Sequence, residues 1–386
     1  MASDILLAII IFILLAFVSF VMFVYALLTG SIEYIPLIFI VAIWLFLLVI
    51  VLRFGLLKTK RRKWGFLIFT LITLIGSSAW PIYERYVESI PTVSNEVNIY
   101  EYMPFEEDSK VVTLDEETTL QLSDPLPVID GATALYPLYS AIAQATYPVK
   151  EYDPYYSEVM VNTTPHAYDN LINGEVDMIF VNEPSQDQIQ RAKAKGIEFE
   201  LTPIGKEAFV FFVNHKNQID NLTLQQIKEI YSGKITNWKE VDGKNKPIRA
   251  YQRPENSGSQ TALESLMGAV PIMEAPKEYV AAGMGDIIHE VSQYRNYDNA
   301  IGYTFRYYSQ EMVGNDEIKL LAIDGVPPTK ETIRSGEYPI TGEFYIVTAG
   351  SDNPNVEKLI DWVLSEQGQK LVEKVGYVPI KEYGEE

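Results

Sequence analysis

The stretch Ala250–Gly268, AYQRPENSGSQTALESLMG, decides how the rest of the chain is read. It begins extended (Ile248, Ala250, Tyr251), breaks at Pro254 and Gly258, and resumes with Ala262, Leu263, Leu266 and Met267, two adjacent apolar pairs one helical turn apart. That pattern is strand, loop, helix. The loop brings Arg253, Ser257 and Ser259 to the helix start. A guanidinium fork, two hydroxyls and unpaired helix N–H groups suit a small oxyanion.

Upstream, the same unit recurs. LPVID (Leu126–Asp130) reads as a buried strand, Gly131–Thr133 as a turn, and Leu135, Leu138, Tyr139 and Ile142 as one face of a helix that Thr133 would cap. VMV (Val159–Val161) reads as a strand, followed by Asn162–Thr164, a helix with Thr164 as cap and Pro165 at its first position, and a stop at Asn173-Gly174. VDMIFV (Val176–Val181) is a further strand, a helix follows around Gln186–Lys195, and FVFFV (Phe209–Val213) is strongly apolar. TLQQIKEIYSG (Thr223–Gly233) is a capped helix. Glu343–Thr348 reads as an edge strand, and a single long helix is expected from Asn353-Pro354 to Gly376. Short apolar runs alternating with amphipathic stretches signal an α/β fold.

The first 82 residues are of another kind. Ile5–Leu28, Ile35–Leu52 and Trp64–Ile82 are apolar enough to cross a bilayer, for which roughly 20 helical residues suffice. The first is long, lacks a basic start and is followed by further spans, so it reads as a membrane helix rather than a cleaved signal. The basic loop Lys58–Lys63 (KTKRRK) between the second and third spans belongs on the cytoplasmic side. The N-terminus is then cytoplasmic and everything after Ile82 extracellular, in a multi-pass protein of the cell membrane in contact with lipid.

Charge divides at the same place. Residues 1–82 hold six basic and two acidic residues, and the remaining 25 basic and 49 acidic residues give the rest a net charge of −24. So acidic a surface excludes nucleic acid as a partner. It leaves a buried anion site open, because local donors govern such a site. Residues 83–124, rich in Glu and Asp with little periodicity, read as an extracellular tether. There is no cysteine, which removes disulfides and thiol chemistry together.

Three corners between a strand and a helix thus carry hydroxyl residues: Thr133, Thr163 with Thr164, and Ser257 with Ser259. In open α/β sheets ligands bind beyond the carboxyl ends of strands. His166, His215 and His289 lack metal-ligand spacing, and no G-x-S-x-G elbow surrounds Ser257. Neither a metal, a cofactor nor an enzymatic activity is expected.

The ordered segments IDGATALYPL, VNTTPHAYDNL, VDMIFVNEPS, LTLQQIKEIYSGKITNW, QRPENSGSQTA, AIGYT and ITGEFYIVT resemble the phosphate-binding proteins of bacterial Pst-type ABC importers, over roughly Leu126–Pro379. The resemblance implies a two-lobe type II periplasmic-binding-protein fold over residues 125–386, lobe I about 125–206 and 345–386 and lobe II about 207–344, behind the three transmembrane helices. It implies capture of inorganic phosphate, or a related tetrahedral oxyanion, and delivery to ABC permease subunits. The alternative is a membrane sensor that reports oxyanion binding through its helices.

Carried over by motif, Thr133 and Ala134 serve the first corner, Thr163 or Thr164 the second. Arg253 makes the charged contact, and Ser257, Gly258 and Ser259 add hydroxyl and N–H donors, with Glu255 supporting the arginine. One departure bears on specificity. Where the family has Asp two residues before Pro, this chain has Asn182-Glu183-Pro184. A carboxylate only accepts and so rejects a fully ionised anion, whereas an amide can turn its NH₂ toward one. Weaker discrimination against sulfate is expected if Asn182 fills the position, and retained discrimination if Glu183 reaches in.

Overall fold

The computed structural model describes residues 2–29, 34–90, 97–275, 297–314 and 316–381. It divides into two compact units, Met1–Pro91 and Thr92–Glu386.

The first unit is three helices, α1 (Ala2–Leu28), α2 (Ile35–Arg53) and α3 (Lys60–Glu88), each long and apolar enough to cross a membrane. Thr59 caps α3 by accepting the Arg62 N–H, and the helix runs past Ile82 to Glu88, so the expected end of the third span lies inside it. The Trp44 indole donates to Thr70 Oγ1 at 3.0 Å, joining α2 to α3 by a polar contact inside the apolar stretch.

The second unit runs through β1 (Ile129–Gly131), α4 (Tyr136–Thr146), α5 (Thr163–Asn173), β2 (Met178–Val181), α6 (Gln186–Ala194) and β3 (Glu200–Asn214). Next come β4 (Asn221–Leu222), α7 (Leu224–Tyr231), β5 (Arg249–Ala250), α8 (Gly258–Met267) and β6 (Ala300–Phe305). It ends with β7 (Ile318–Leu320), β8 (Ala322–Ile323), α9 (Lys330–Arg334), β9 (Thr341–Thr348), α10 (Val356–Val363), α11 (Glu366–Val375) and β10 (Val378–Pro379).

The main sheet has the order β1-β2-β9-β3-β6-β5. Its pivot is β3, whose first part pairs antiparallel with β9 (Glu200↔Thr348 to Ala208↔Thr341) and whose second part pairs with β6 (Phe209↔Phe305 to Val213↔Ile301). Two separate cores follow from that division. One gathers Ile129, Tyr139, Phe180, Ile204, Phe344, Trp362 and Leu371, and the other Phe211, Ile227, Trp238, Leu263, Ile301 and Ile333. These are the two lobes of the expected α/β fold, and β3 and β9 connect them.

Four local expectations differ from what folds. Glu343–Thr348 is not at an edge, because β9 lies between β2 and β3. Its exposed first residues belong to the crossing between lobes. The long C-terminal helix is two helices: Ser365 starts a second one by accepting the Gly368 N–H, and a Cβ on Gly368 would lie 2.3 Å from the Trp362 carbonyl. Only glycine lets α11 fold back so closely. Val159 makes an isolated bridge to Ile129 rather than a strand.

The fourth difference is the acidic tether. From Val97 onward it packs on the first lobe, with Tyr102 and Leu122 buried and Val97, Ile99, Phe105, Val111, Val112, Leu114 and Leu120 against the same core. Some of its charges are also engaged, Asp115 with Lys374 at 2.8 Å.

Candidate functional site

The first two corners rest on one buried carboxylate. Asp130, fully buried at the end of β1, accepts from Gly131 N (2.7 Å), Asn162 N (2.9 Å), Asn162 Nδ2 (3.1 Å) and Asn170 Nδ2 (2.8 Å). Burial raises its pKa above the usual range against the pull of those donors. The carboxylate therefore ties the end of β1 to the start of α5.

Neither upstream corner uses its threonine as a cap. Thr133 opens a 3₁₀ turn (Thr133–Leu135) whose N-cap is Ala132, and α5 starts at Thr163 itself behind Asn162, without a side-chain cap bond at either start. The expectation that Thr133 and Thr164 serve as caps is corrected here. Both threonines lie inside the first turn, past the position from which a side chain caps a helix. Thr163 holds φ +50°, a region a β-branched residue rarely enters, and its Oγ1 lies 3.1 Å from His166 Nδ1. The Ala134 carbonyl accepts from the Tyr377 hydroxyl.

The third corner is built on α8. Ser257 caps it, accepting the Gln260 N–H at 3.3 Å, and Gly258 is its buried first residue with half-buried Ser259 next. The Arg253 backbone is fixed by donating to Gln260 Oε1 (3.1 Å) and to the Tyr303 hydroxyl (2.9 Å), and Tyr303 itself donates to Gln260. Burial raises the Tyr303 and Tyr308 pKa values, and the Arg253 charge acts against both rises. Glu255 is exposed on the loop.

The second and third corners meet across the two lobes. A Cβ on Gly258 would stand 3.2 Å from Thr164 Oγ1 and 3.4 Å from Asn182 Nδ2. The start of α8 thus faces the start of α5 and the end of β2. Glu183 goes elsewhere: it is exposed, and its Oε1 accepts from the Tyr345 hydroxyl at 3.5 Å. Of the two residues considered for that position, Asn182 is the one beside Gly258.

His215 lies outside this group, with Nδ1 3.2 Å from Glu317 Oε2, and His289 falls outside the described residues. Among the described residues no group of three or more His, Asp or Glu side chains could hold a metal. Two contributors escaped the sequence. Tyr303 stands in the quoted AIGYT segment, but its bond to the Arg253 backbone spans 50 residues. Asn256 joins the third corner to Ser185 and Asp187 of the first lobe, and its only local signal is the PENSG turn.

Residues 122–367 match the family described as a PBP superfamily domain. The phosphate-binding protein PstS of Staphylococcus saprophyticus is 30% identical over 234 residues, covering 58% of this chain and 72% of that protein. This chain belongs to the PstS family. The PstS of Borreliella burgdorferi is 28% identical over 234 residues, 57% of this chain and 81% of the relative. In fold the chain is similar to a Clostridium perfringens structure described as a phosphate ABC transporter substrate-binding protein with bound phosphate. That likeness has TM-score 0.50 and 25% identity over 66% of this chain and 98% of the other. What the geometry itself brings together across the lobes is the start of α8 with Thr164 and Asn182.

Proposed function

We propose that the chain is a membrane-anchored, extracellular solute-binding protein that takes up inorganic phosphate between its lobes and passes it to an ABC permease. The observation that carries this reading is the meeting of Gly258, Thr164 and Asn182 across the lobes, at the start of the helix into which the Arg253 loop leads, in a PstS-family chain. Thr133, Ala134, Thr163 or Thr164, Ser257, Gly258 and Ser259 supply hydroxyl and N–H donors, Arg253 the positive charge, and Asn182 an amide. The helix starts add donors and the positive ends of their dipoles, which act strongly once water is excluded. Closure is needed because a rigid open cleft cannot surround a small tetrahedral ion.

The three apolar helices support anchoring, and KTKRRK between the second and third supports a cytoplasmic N-terminus with the binding unit outside. A binding role rather than turnover is supported by the curated relatives, which are named as phosphate-binding proteins.

The test is calorimetric titration of phosphate into the full chain in detergent micelles, wild type against Arg253→Ala. Removing one partner of a buried charged contact costs on the order of 2–5 kcal/mol of affinity. Equal binding by both proteins, or none by the wild type, overturns the proposal.

A further inference from the structure

Asn256 lies in the loop of the second lobe between Arg253 and the start of α8, and its φ is +64°, a conformation that favours glycine. Its side chain crosses to the first lobe. Ser185 Oγ donates to Asn256 Oδ1 at 2.6 Å, and Asn256 Nδ2 donates to Asp187 Oδ2 at 3.3 Å. The Asn256 carbonyl accepts from Gln188 Nε2 at 3.4 Å. All three bonds thus run between one short loop and the cap and first turn of α6.

The receiving surface is already ordered for another reason. Ser185 and Gln188 form the reciprocal cap of α6: Ser185 Oγ accepts the Gln188 N–H at 3.1 Å and Gln188 Oε1 accepts the Ser185 N–H at 2.8 Å. Each side chain has one further group to offer, the Ser185 hydroxyl proton and the Gln188 amide NH₂, and both go to Asn256. Asp187 is held in turn by Arg191 Nε at 2.9 Å, and Arg191 also pairs with Asp169 on α5. Ser185 and Gln188 are buried, so their bonds to Asn256 are partly shielded from solvent, whereas the bond to Asp187 is exposed.

We propose that Asn256 is the latch between the lobes, a positioning residue that holds the closed cleft and so sets how long the anion stays. This rests on the phosphate-binding reading above. The anion contacts are made by corners fixed within each lobe, whereas the Asn256 bonds exist only while the lobes are together. Losing the latch therefore speeds release and leaves capture almost untouched. The positive φ explains why an asparagine can serve here, being the side chain that best tolerates that conformation while offering both a donor and an acceptor.

The experiment compares the wild-type full chain, Asn256→Gly and Asn256→Asp in detergent micelles. Asn256→Gly keeps the backbone conformation and removes the amide. Phosphate dissociation is expected to speed up about tenfold, the scale of two hydrogen bonds that compete with water, with association within about twofold. Asn256→Asp sets a carboxylate against Asp187 and releases faster still, and adding Asp187→Asn to it restores much of the loss, which a merely structural role would not do.

Closure is read separately, so that failure of the latch and failure of the phosphate reading differ. The chain has no cysteine, so spin labels on Glu175→Cys and Lys239→Cys, exposed positions of the two lobes, report the distance between lobes. A smaller closed fraction in Asn256→Gly, with or without phosphate, supports the latch even if the wild type binds another anion instead. Equal closed fractions under both conditions, or unchanged dissociation in a variant that binds phosphate, overturn it.

Discussion

Glu207 is expected to make the stability of the extramembrane unit depend on pH in the direction opposite to most carboxylates. It sits in β3 opposite Gly342 of β9, just before the strand leaves the first lobe, and is 6% exposed. Its two oxygens accept from Ala208 N (2.9 Å) and Tyr307 N (3.2 Å). Burial is the dominant influence and pushes its pKa from the ordinary 4.5 up to about 7; the two N–H donors and the charge of Arg306 pull the other way, and Glu311 adds to the rise. Arg306 is shared with Glu311 at 3.4 Å, which limits what it gives Glu207.

The sign follows from where the proton sits. The folded state keeps the Glu207 proton up to about pH 7, while the unfolded chain releases it near 4.5, so between these values the folded state binds more protons. Stability is full below the unfolded value and is lost as pH rises toward about 7. At about 1.36 kcal/mol per pKa unit the whole window is worth about 3 kcal/mol, of which about 2–3 kcal/mol lies between pH 5 and 8. Urea unfolding of the full chain in micelles, followed by Trp238 and Trp362 fluorescence, measures it. Asp130, also raised, contributes in the same direction, so the decisive comparison is with Glu207→Gln. That variant never ionises and loses the Glu207 share, although its NH₂ must face one of the two N–H donors and lowers stability at acid pH. An identical pH slope in both proteins refutes the reasoning.

Two further substitutions test the site and its scaffold. Asn182→Asp puts an acceptor-only group beside Gly258 and Thr164, so phosphate is expected to outcompete sulfate more strongly than in the wild type, by about tenfold or more in the ratio of Kd values. Complete insensitivity of the wild type to millimolar sulfate counts against the role given to Asn182. Gly131→Ala would set a Cβ 2.5 Å from the Phe180 carbonyl and 2.8 Å from the Tyr139 ring. The carbonyl belongs to the paired strand and cannot step aside, so a loss of about 1–3 kcal/mol in urea unfolding is expected, with unaltered stability refuting the close packing of this turn.

What the sequence made legible was local. A strand running into a loop with hydroxyls and then a helix was readable at the first and third corners, and the loop and helix at the second, where the expected strand is only the Val159 bridge, because each signal sits within about fifteen residues. Function within each corner was less so: Thr133 and Thr164 look like caps by position, and only the backbone shows Ala132 and Asn162 in those places. The acidic count of residues 83–124 hid the spaced apolar residues from Val97 to Leu122, since composition averages what packing reads singly. The apolar face that runs through Trp362 and Leu371 conceals the break at Ser365, which depends on a glycine meeting a backbone carbonyl in space. Asn256 was beyond reach for a plainer reason. Its partners lie 68 to 71 residues away, in a helix that looks complete without it.

Those long-range bonds divide labour within the proposed site. Asp130 fixes the end of β1 against α5 inside the first lobe, and the Tyr303–Gln260 pair fixes the Arg253 backbone inside the second. Neither set needs to break when the lobes part, so the corners are preorganised, and preorganised donors lose little free energy to rearrangement when an anion arrives. The bonds of Asn256 must break, and water replaces them. Changes at Asn182 or Arg253 should then appear in which anion binds and how tightly, and changes at Asn256 in how long it stays. A variant of Asn256 that altered the ratio of phosphate to sulfate affinity would show that the division is wrong, because it would mean that the latch reaches the anion through the start of α8, one residue beyond Ser257.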